Sequence, residues 1–201
     1  SHPAIREAAV EAVARHGVHS AGSLALQGGS EPLLRLSERL AEWLGCRAAM
    51  VFPTGWAAGF GVIRALVRED DHIVLDSLAH ACLQEGAAAA TRNIHRVPHL
   101  SCEAIARRLV RIRAEHPRAG ILVVTESLFS MNSTVPDLRA MQEICRAYDA
   151  TLLVDVAHDL GAIADDGLGF LGDQGVIGDV DLVVGACLLY TSPSPRDMVD
   201  Y

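Results

Sequence analysis

The chain has 201 residues, half of them hydrophobic, and a formal net charge of −8. That length suits one domain or a large part of one, and an acidic balance without a basic stripe argues against a nucleic-acid-binding surface. No apolar run is long enough to span a bilayer, and the polar start His2-Pro3-Ala4-Ile5-Arg6-Glu7 has no signal-peptide pattern.

Cys46, Cys82, Cys102, Cys145 and Cys187 are an odd number, scattered, and in no CxxC or other metal-ligand spacing. They read as reduced thiols of a cytoplasmic protein, with no metal site. All 17 basic residues are Arg. A mechanism that needs a lysine amine cannot run on these residues.

Residues 4–15 are Ala-rich and predict a helix. Ala21 to Ser30 is small and turn-rich, and Ser30 followed by Glu31-Pro32 is a good N-cap and first turn. Leu33, Leu34, Leu36, Leu40 and Leu44 recur near helical spacing, and Gly45 stops the helix. Ala48-Ala49-Met50-Val51-Phe52 predicts a short buried strand, broken by Pro53-Thr54-Gly55. Trp56 to Val67, rich in Ala and Gly, predicts a closely packed helix. Thr54-Gly55-Trp56 then lies at a helix N-terminus, where free N–H groups and the dipole favour an anion, or where an ordinary turn stands.

His72 to Asp76 is a second strand that ends in an acid. His80 opens an Ala-rich helix over 81–91. His80-Ala81-Cys82 offers two metal-like ligands without a third, so His80 reads as a cleft-lining residue. His95-Arg96-Val97 is a third strand, residues 101–115 an Arg-rich amphipathic helix with a solvated outer face, and Gly120 to Thr125 a fourth strand. Glu126 to Asn132 is a crevice loop and Asp137 to Tyr148 a helix. Gly161 to Gly178 is a Gly/Asp-rich excursion, and Asp181 to Gly185 a sixth strand. This alternation predicts an α/β fold, a mostly parallel sheet with helices on both faces and no second-domain boundary.

The organising stretch is Thr151-Leu152-Leu153-Val154-Asp155-Val156-Ala157-His158, a doubly buried strand that ends abruptly in an acid. Strand carboxyl ends line the ligand crevice of such sheets, so Asp155 would stand at its floor with His158 just beyond. An acid there needs a cation or a donor. The protonated ring nitrogen of pyridoxal 5′-phosphate (PLP) is one fitting partner, and a carboxylate that merely caps the next turn is the other reading.

Four motifs carry a family resemblance. Thr54-Gly55-Trp56-Ala57-Ala58 resembles the phosphate-side SGYAAN turn of the α-oxoamine synthases, and Asp76 to Gly86 resembles their D…NHAS…G segment. Glu126-Ser127-Leu128-Phe129-Ser130-Met131 resembles ESVFSM, and Asp155-Val156-Ala157-His158 resembles DEAH. Order and spacing match from residue 1 to about residue 185. The resemblance implies an incomplete fold-type I PLP-dependent transferase large domain. It implies that His80 stacks on the pyridine ring, Asp155 holds its nitrogen, and His158 and Ser130 neighbour its phenolic oxygen. Thr54, Gly55 and Trp56 would bind the phosphate through backbone N–H groups, and Glu126 matches an acid near the active site. The implied reaction condenses an amino acid with an acyl-CoA thioester, with loss of CO2 and CoA, to an α-aminoketone. The implied assembly is a homodimer. A fold-type I aminotransferase and a lysine-less PLP-binding protein are the alternatives.

The chain also departs from the family. Gly22-Ser23-Leu24 stands for GSR, Glu31-Pro32-Leu33-Leu34 lacks the usual His, Asn132-Ser133-Thr134 replaces Asp-Gly-Asp, and Val156 replaces the second acid of DEAH. These changes leave the amino acid, the acyl donor and the branch of the family open. After Gly185 the family continues into a Ser/Thr-rich loop with its Schiff-base lysine. The stretch from Ala186 to Asp197 has no lysine and resembles translated sequencing adapter. Residues 1–186 therefore read as a partial PLP-binding large domain and 187–201 as a non-native tail, with a native disordered tail as the alternative.

Overall fold

The computed structural model describes residues 2–18, 22–23, 26 and 28–187; Leu24 and the stretch from Leu188 onward lie outside them. Two compact units are present, one within Ser1–Val51 and one spanning Phe52–Cys187.

The first unit holds helices α1 (Pro3–His16) and α2 (Glu31–Trp43). Pro3 opens α1, where its missing N–H is harmless, and the His2 side chain accepts the Ala4 N–H. Ser30 is the N-cap of α2 by backbone conformation, yet its hydroxyl makes no capping bond. At the other end Gly45 adopts φ +64°, and the Cys46 N–H returns to the Ala41 carbonyl at 2.8 Å, which is the Schellman arrangement. The strand expected at Ala48–Phe52 is not formed. A strand needs a hydrogen-bonded neighbour, and the five strands of the sheet pair only among themselves. Met50 is 76 % exposed, so the run is apolar without being interior.

The second unit is a five-stranded sheet of β1 (His72–Asp76), β2 (Ile94–Val97), β3 (Ile121–Glu126), β4 (Thr151–Asp155) and β5 (Leu182–Val184), in the order β2-β1-β3-β4-β5. Every pairing is parallel. β1 and β3 are buried along their whole length, as strands covered on both faces must be.

On one face Ile73, Leu75, Leu122, Val124, Leu153 and Val184 share a core with α3 (Gly55–Leu66) and α4 (Ala81–Ala90). The alternate residues, such as Val74, Val123 and Leu152, are buried on the other face, where α5 (Cys102–Glu115) packs on β1 and β2 and α6 (Leu138–Ala147) on β4. The small residues of the sequence serve the first face. A Cβ on Gly59 would stand 2.7 Å from Cys82 Sγ, and one on Gly86 would stand 3.1 Å from the Phe60 backbone. α3 and α4 can approach only because both positions lack a side chain.

The outer face of α5 is solvated as expected, with Glu103–Arg107 and Arg111–Glu115 pairs. Arg113 departs from that pattern. It turns inward and donates to the carbonyls of Tyr148, Ala119 and Asp149. Inside the Gly/Asp-rich excursion lies a short helix, α7 (Gly169–Asp173). Among the described residues no helix is long and apolar enough to cross a membrane.

β1 has β2 on one side and β3 on the other. The chain leaves β1 for β2 on one side and returns from β2, past β1, to β3 on the other, and the crevice at such a switch point opens outside the strand carboxyl ends. The sheet core predicts a sharp contrast in a urea-denaturation series. Leu153→Ala, at a fully buried position, loses about 2–5 kcal/mol, whereas Val110→Ala, half exposed on α5, stays within about 0.5 kcal/mol of the parent.

Candidate active site

Three neighbouring strands end in buried acids: Asp76 on β1, Glu126 on β3 and Asp155 on β4. Glu126 and Asp155 are register partners, so their side chains leave the same face of the sheet, the face that carries α3 and α4. Asp76 leaves the opposite face, since its register neighbours fall in the alternate set.

The Asp155–Glu126 pair is electrostatically uncomfortable. Burial pushes the Asp155 carboxyl up from its ordinary 3.8 to about 6; the Ala157 N–H and His80 oppose the rise. Glu126 is pushed from 4.5 to about 7, first by burial and then by Asp155, against the backbone N–H groups of His80 and Ser130. The Ala157 N–H reaches Asp155 Oδ1 at 3.0 Å, and the His80 N–H reaches Glu126 Oε1 at 2.6 Å. Neither carboxyl has a formal cation bonded to it in these contacts.

His80 is the N-cap of α4. Its Nδ1 accepts the Cys82 N–H at 3.2 Å and lies 3.0 Å from Cys82 Sγ. With Nδ1 engaged as an acceptor, the neutral ring carries its proton on Nε2. His80 itself is exposed. The Cys82 thiol is buried and pushed up to about 12 by burial and by Asp155 and Glu126. It is packing rather than a nucleophile.

Thr54 caps α3, its Oγ1 accepting the Ala57 N–H at 3.0 Å. Gly55 and Trp56 are then the first two helical residues, and their N–H groups have no acceptor within the helix. A Cβ on Gly55 would come within 2.7 Å of Ala186 Cβ, so this turn is closely covered by the residues after β5. Trp56 is 44 % exposed and meets the His80 ring edge-on, with centroids 6.2 Å apart. The structure thus brings Thr54, Gly55, Trp56, His80, Glu126 and Asp155 to one end of the sheet. Ser130 is exposed in the loop after Glu126, and His158 is half-buried three residues past Asp155.

Two partners of this site were not singled out from the sequence. Asp159 is fully buried. It accepts the Ser127 hydroxyl at 2.5 Å and the Phe170 N–H at 2.7 Å, which ties the β3 loop to the β4 turn and to α7. Gly169, at φ +58°, is required beside it, because a Cβ there would stand 2.4 Å from Asp159 Oδ2. His99 is the second. It lies just past the end of β2 and bonds to Asp76 and Thr134.

A depression of about 670 Å³ lined by Arg68, Asp71, Glu115, His116 and Arg118 lies at the amino-terminal end of the strands, away from these acids and from where parallel sheets place their ligands. Among the described residues no cluster of three or more His, Cys, Asp or Glu is arranged to hold a metal ion.

Residues 2–185 match the family described as aminotransferase class I and II. The 8-amino-7-oxononanoate synthase of Geobacter sulfurreducens is 40 % identical over 185 residues, covering 92 % of this chain and 46 % of that protein. The serine palmitoyltransferase of Sphingomonas wittichii superposes with a TM-score of 0.85 at 34 % identity, over 92 % of this chain and 45 % of that one. A K265A variant of serine palmitoyltransferase from S. paucimobilis, solved with a bound PLP–myriocin aldimine, gives a TM-score of 0.84 at 31 % identity, over 91 % of this chain and 45 % of that one. The chain spans about half the length of the relatives it matches. It belongs to the aminotransferase class I and II family of fold-type I PLP enzymes, within the α-oxoamine synthase group.

Proposed function

We propose that these residues form the PLP-holding half of an acyltransferase that condenses an amino acid with an acyl-CoA thioester, losing CO2 and CoA and leaving an α-aminoketone. The observation that carries this reading is the buried Asp155–Glu126 pair, with the His80 backbone N–H bonded to Glu126. Two acids on one sheet face, both raised by burial and one by the other, favour a ligand that brings a positive charge to the crevice floor. A protonated pyridine nitrogen over Asp155 is such a group. The ligand, when bound, supplies an electron sink for carbanion chemistry.

The chain's own residues do the rest. Asp155 keeps the ring nitrogen protonated. His80 stacks on the ring, and Glu126 fixes His80 through the 2.6 Å backbone bond. The N–H groups of Gly55 and Trp56, at the start of α3, receive the phosphate. Ser130 and His158 stand by the phenolic oxygen. The working protein is read as a cytoplasmic homodimer that acts on an amino acid and an acyl-CoA and binds neither nucleic acid nor membrane. The absence of lysine from all 201 residues favours a second reading for this chain by itself, a binder that holds the cofactor without a covalent link.

Pyridoxamine 5′-phosphate has no aldehyde and tests the site without covalent chemistry. Titrated into the chain, it quenches tryptophan fluorescence saturably, since Trp56 adjoins His80. Asp155→Ala weakens that binding by about 10- to 100-fold, the worth of one charge-assisted hydrogen bond. The absence of saturable quenching, or an Asp155→Ala variant that binds like the parent, sinks the proposal.

The same pair sets a pH dependence for the ligand-free chain. Both carboxyls bind protons more tightly folded than unfolded. Their contribution to stability is therefore fully present below about pH 4 and is lost as pH rises through about 6 for Asp155 and about 7 for Glu126. Urea denaturation at about pH 5 and about pH 8 shows the loss, and Asp155→Asn with Glu126→Gln flattens it. An unchanged slope in the double variant removes these two groups as its cause.

A further inference from the structure

The carboxylate on the far face of β1 organises a second device at the same crevice. Asp76 is buried and accepts the Leu78 N–H on Oδ1 and the Leu100 N–H on Oδ2, each at 2.9 Å. His99 Nδ1 lies 2.9 Å from Asp76 Oδ1, and its Nε2 lies 2.7 Å from Thr134 Oγ1. A carboxylate can only accept, so Nδ1 carries a proton, and the second ring nitrogen faces the Thr134 hydroxyl. Asn132 sits beside the pair, its Nδ2 3.4 Å from His99 Nε2 and its Oδ1 2.8 Å from Thr134 Oγ1.

Thr134 closes the loop that begins at Glu126. Its carbonyl accepts the Phe129 N–H at 3.0 Å, and the Phe129 carbonyl accepts the Ser133 N–H at 2.9 Å. The Phe129 ring is buried and stands edge-on to the His99 ring at 4.4 Å. Both ends of the imidazole bridge are flanked by strained backbone. Leu100 has φ +60° and Ser133 has φ +55°, neither a glycine. Such conformations cost free energy and persist only where the surroundings over-determine them. Here the Leu100 N–H is taken by Asp76 and the Ser133 N–H by Phe129.

We propose that His99 is a positioning residue that, through the Asp76–His99–Thr134 chain of hydrogen bonds, sets the conformation of the 126–134 loop and so the place of Ser130 and Glu126 in the crevice. The loop is then held against the β1 side at two points. At its base Glu126 takes the His80 N–H. At its far end Thr134 takes one edge of the His99 ring while Asp76 takes the other. That the positioned loop serves a cofactor rests on the function proposed above; that His99 positions it does not.

The test uses the 201-residue chain and the variants His99→Asn, Thr134→Val, Thr134→Ser and His99→Asn/Thr134→Val. His99→Asn keeps a donor for Asp76 and removes the ring nitrogen that meets Thr134. Thr134→Val removes the hydroxyl at constant shape. Amide resonances of residues 127–134 shift in both single variants, and Thr134→Ser restores them. Affinity for pyridoxamine 5′-phosphate falls about three- to tenfold in each single variant. The double variant binds no worse than either single, because one bridge is being broken twice. A purely structural role lowers the urea midpoint and leaves the affinity of the folded fraction unchanged, and that result overturns the proposal. Should the parent bind no pyridoxamine 5′-phosphate, the functional reading fails and the resonances decide alone. Shifts in both variants with recovery in Thr134→Ser uphold the bridge, and unmoved loop resonances refute it.

Discussion

Two carboxyl groups on neighbouring strand ends, facing the same way, are the constraint on which this crevice turns. A parallel sheet with helices on both faces has little water at its carboxyl edge, so an acid placed there is held near neutrality by desolvation unless a cation or a set of donors meets it. Asp155 and Glu126 each have backbone donors, and each still titrates far above its ordinary range. The register that sets Glu126 beside Asp155 also sets the His80 N–H against Glu126. The start of α4 is thereby fastened to one of the two raised acids. Two raised acids side by side favour any ligand that brings a positive charge to them.

The loops above the sheet are fastened by further buried carboxylates rather than by apolar contacts alone. Asp159 joins Ser127 to Phe170, and Asp76 gathers Leu78, His99 and Leu100. Carboxylates suit this work because each offers several acceptor sites to the free N–H groups of irregular backbone, which a crevice loop cannot satisfy within itself. The acidic composition of the chain thus has a structural part. Many of its Asp residues answer backbone donors and need no basic partner.

Much of the fold was legible because the strands are long apolar runs bounded by Gly, Pro or acid. The runs at His72–Asp76, Ile121–Glu126 and Thr151–Asp155 are buried on both sides and leave no periodicity to misread. The run at Ala48–Phe52 failed because apolar composition cannot report a missing neighbour. Asp155 was singled out by the rule that chemistry collects at strand carboxyl ends, while the roles expected of Glu126 and His80 came from the family resemblance. The same rule applied to β2 reaches His99, two residues past Val97, and the shortness of that strand hid it. Asp159 left no such signal. Its role depends on Gly169 and Phe170, ten and eleven residues away, and only the closed turn shows why an acid and a glycine are needed together.

Holding a cofactor and using it place different demands on a chain. The groups proposed for holding are backbone N–H groups, carboxylates, imidazoles and the Ser130 hydroxyl, set by strand ends, helix starts and the loop after β3 within residues 54–158. The amine that would form a covalent link is of a kind this chain does not contain. Non-covalent holding needs only that the fixed donors and acids match the ligand's phosphate, ring face and ring nitrogen. Asp155 closes β4, His80 opens α4 and Gly55 opens α3, so the recognition proposed above draws on three elements that the parallel sheet brings to one end.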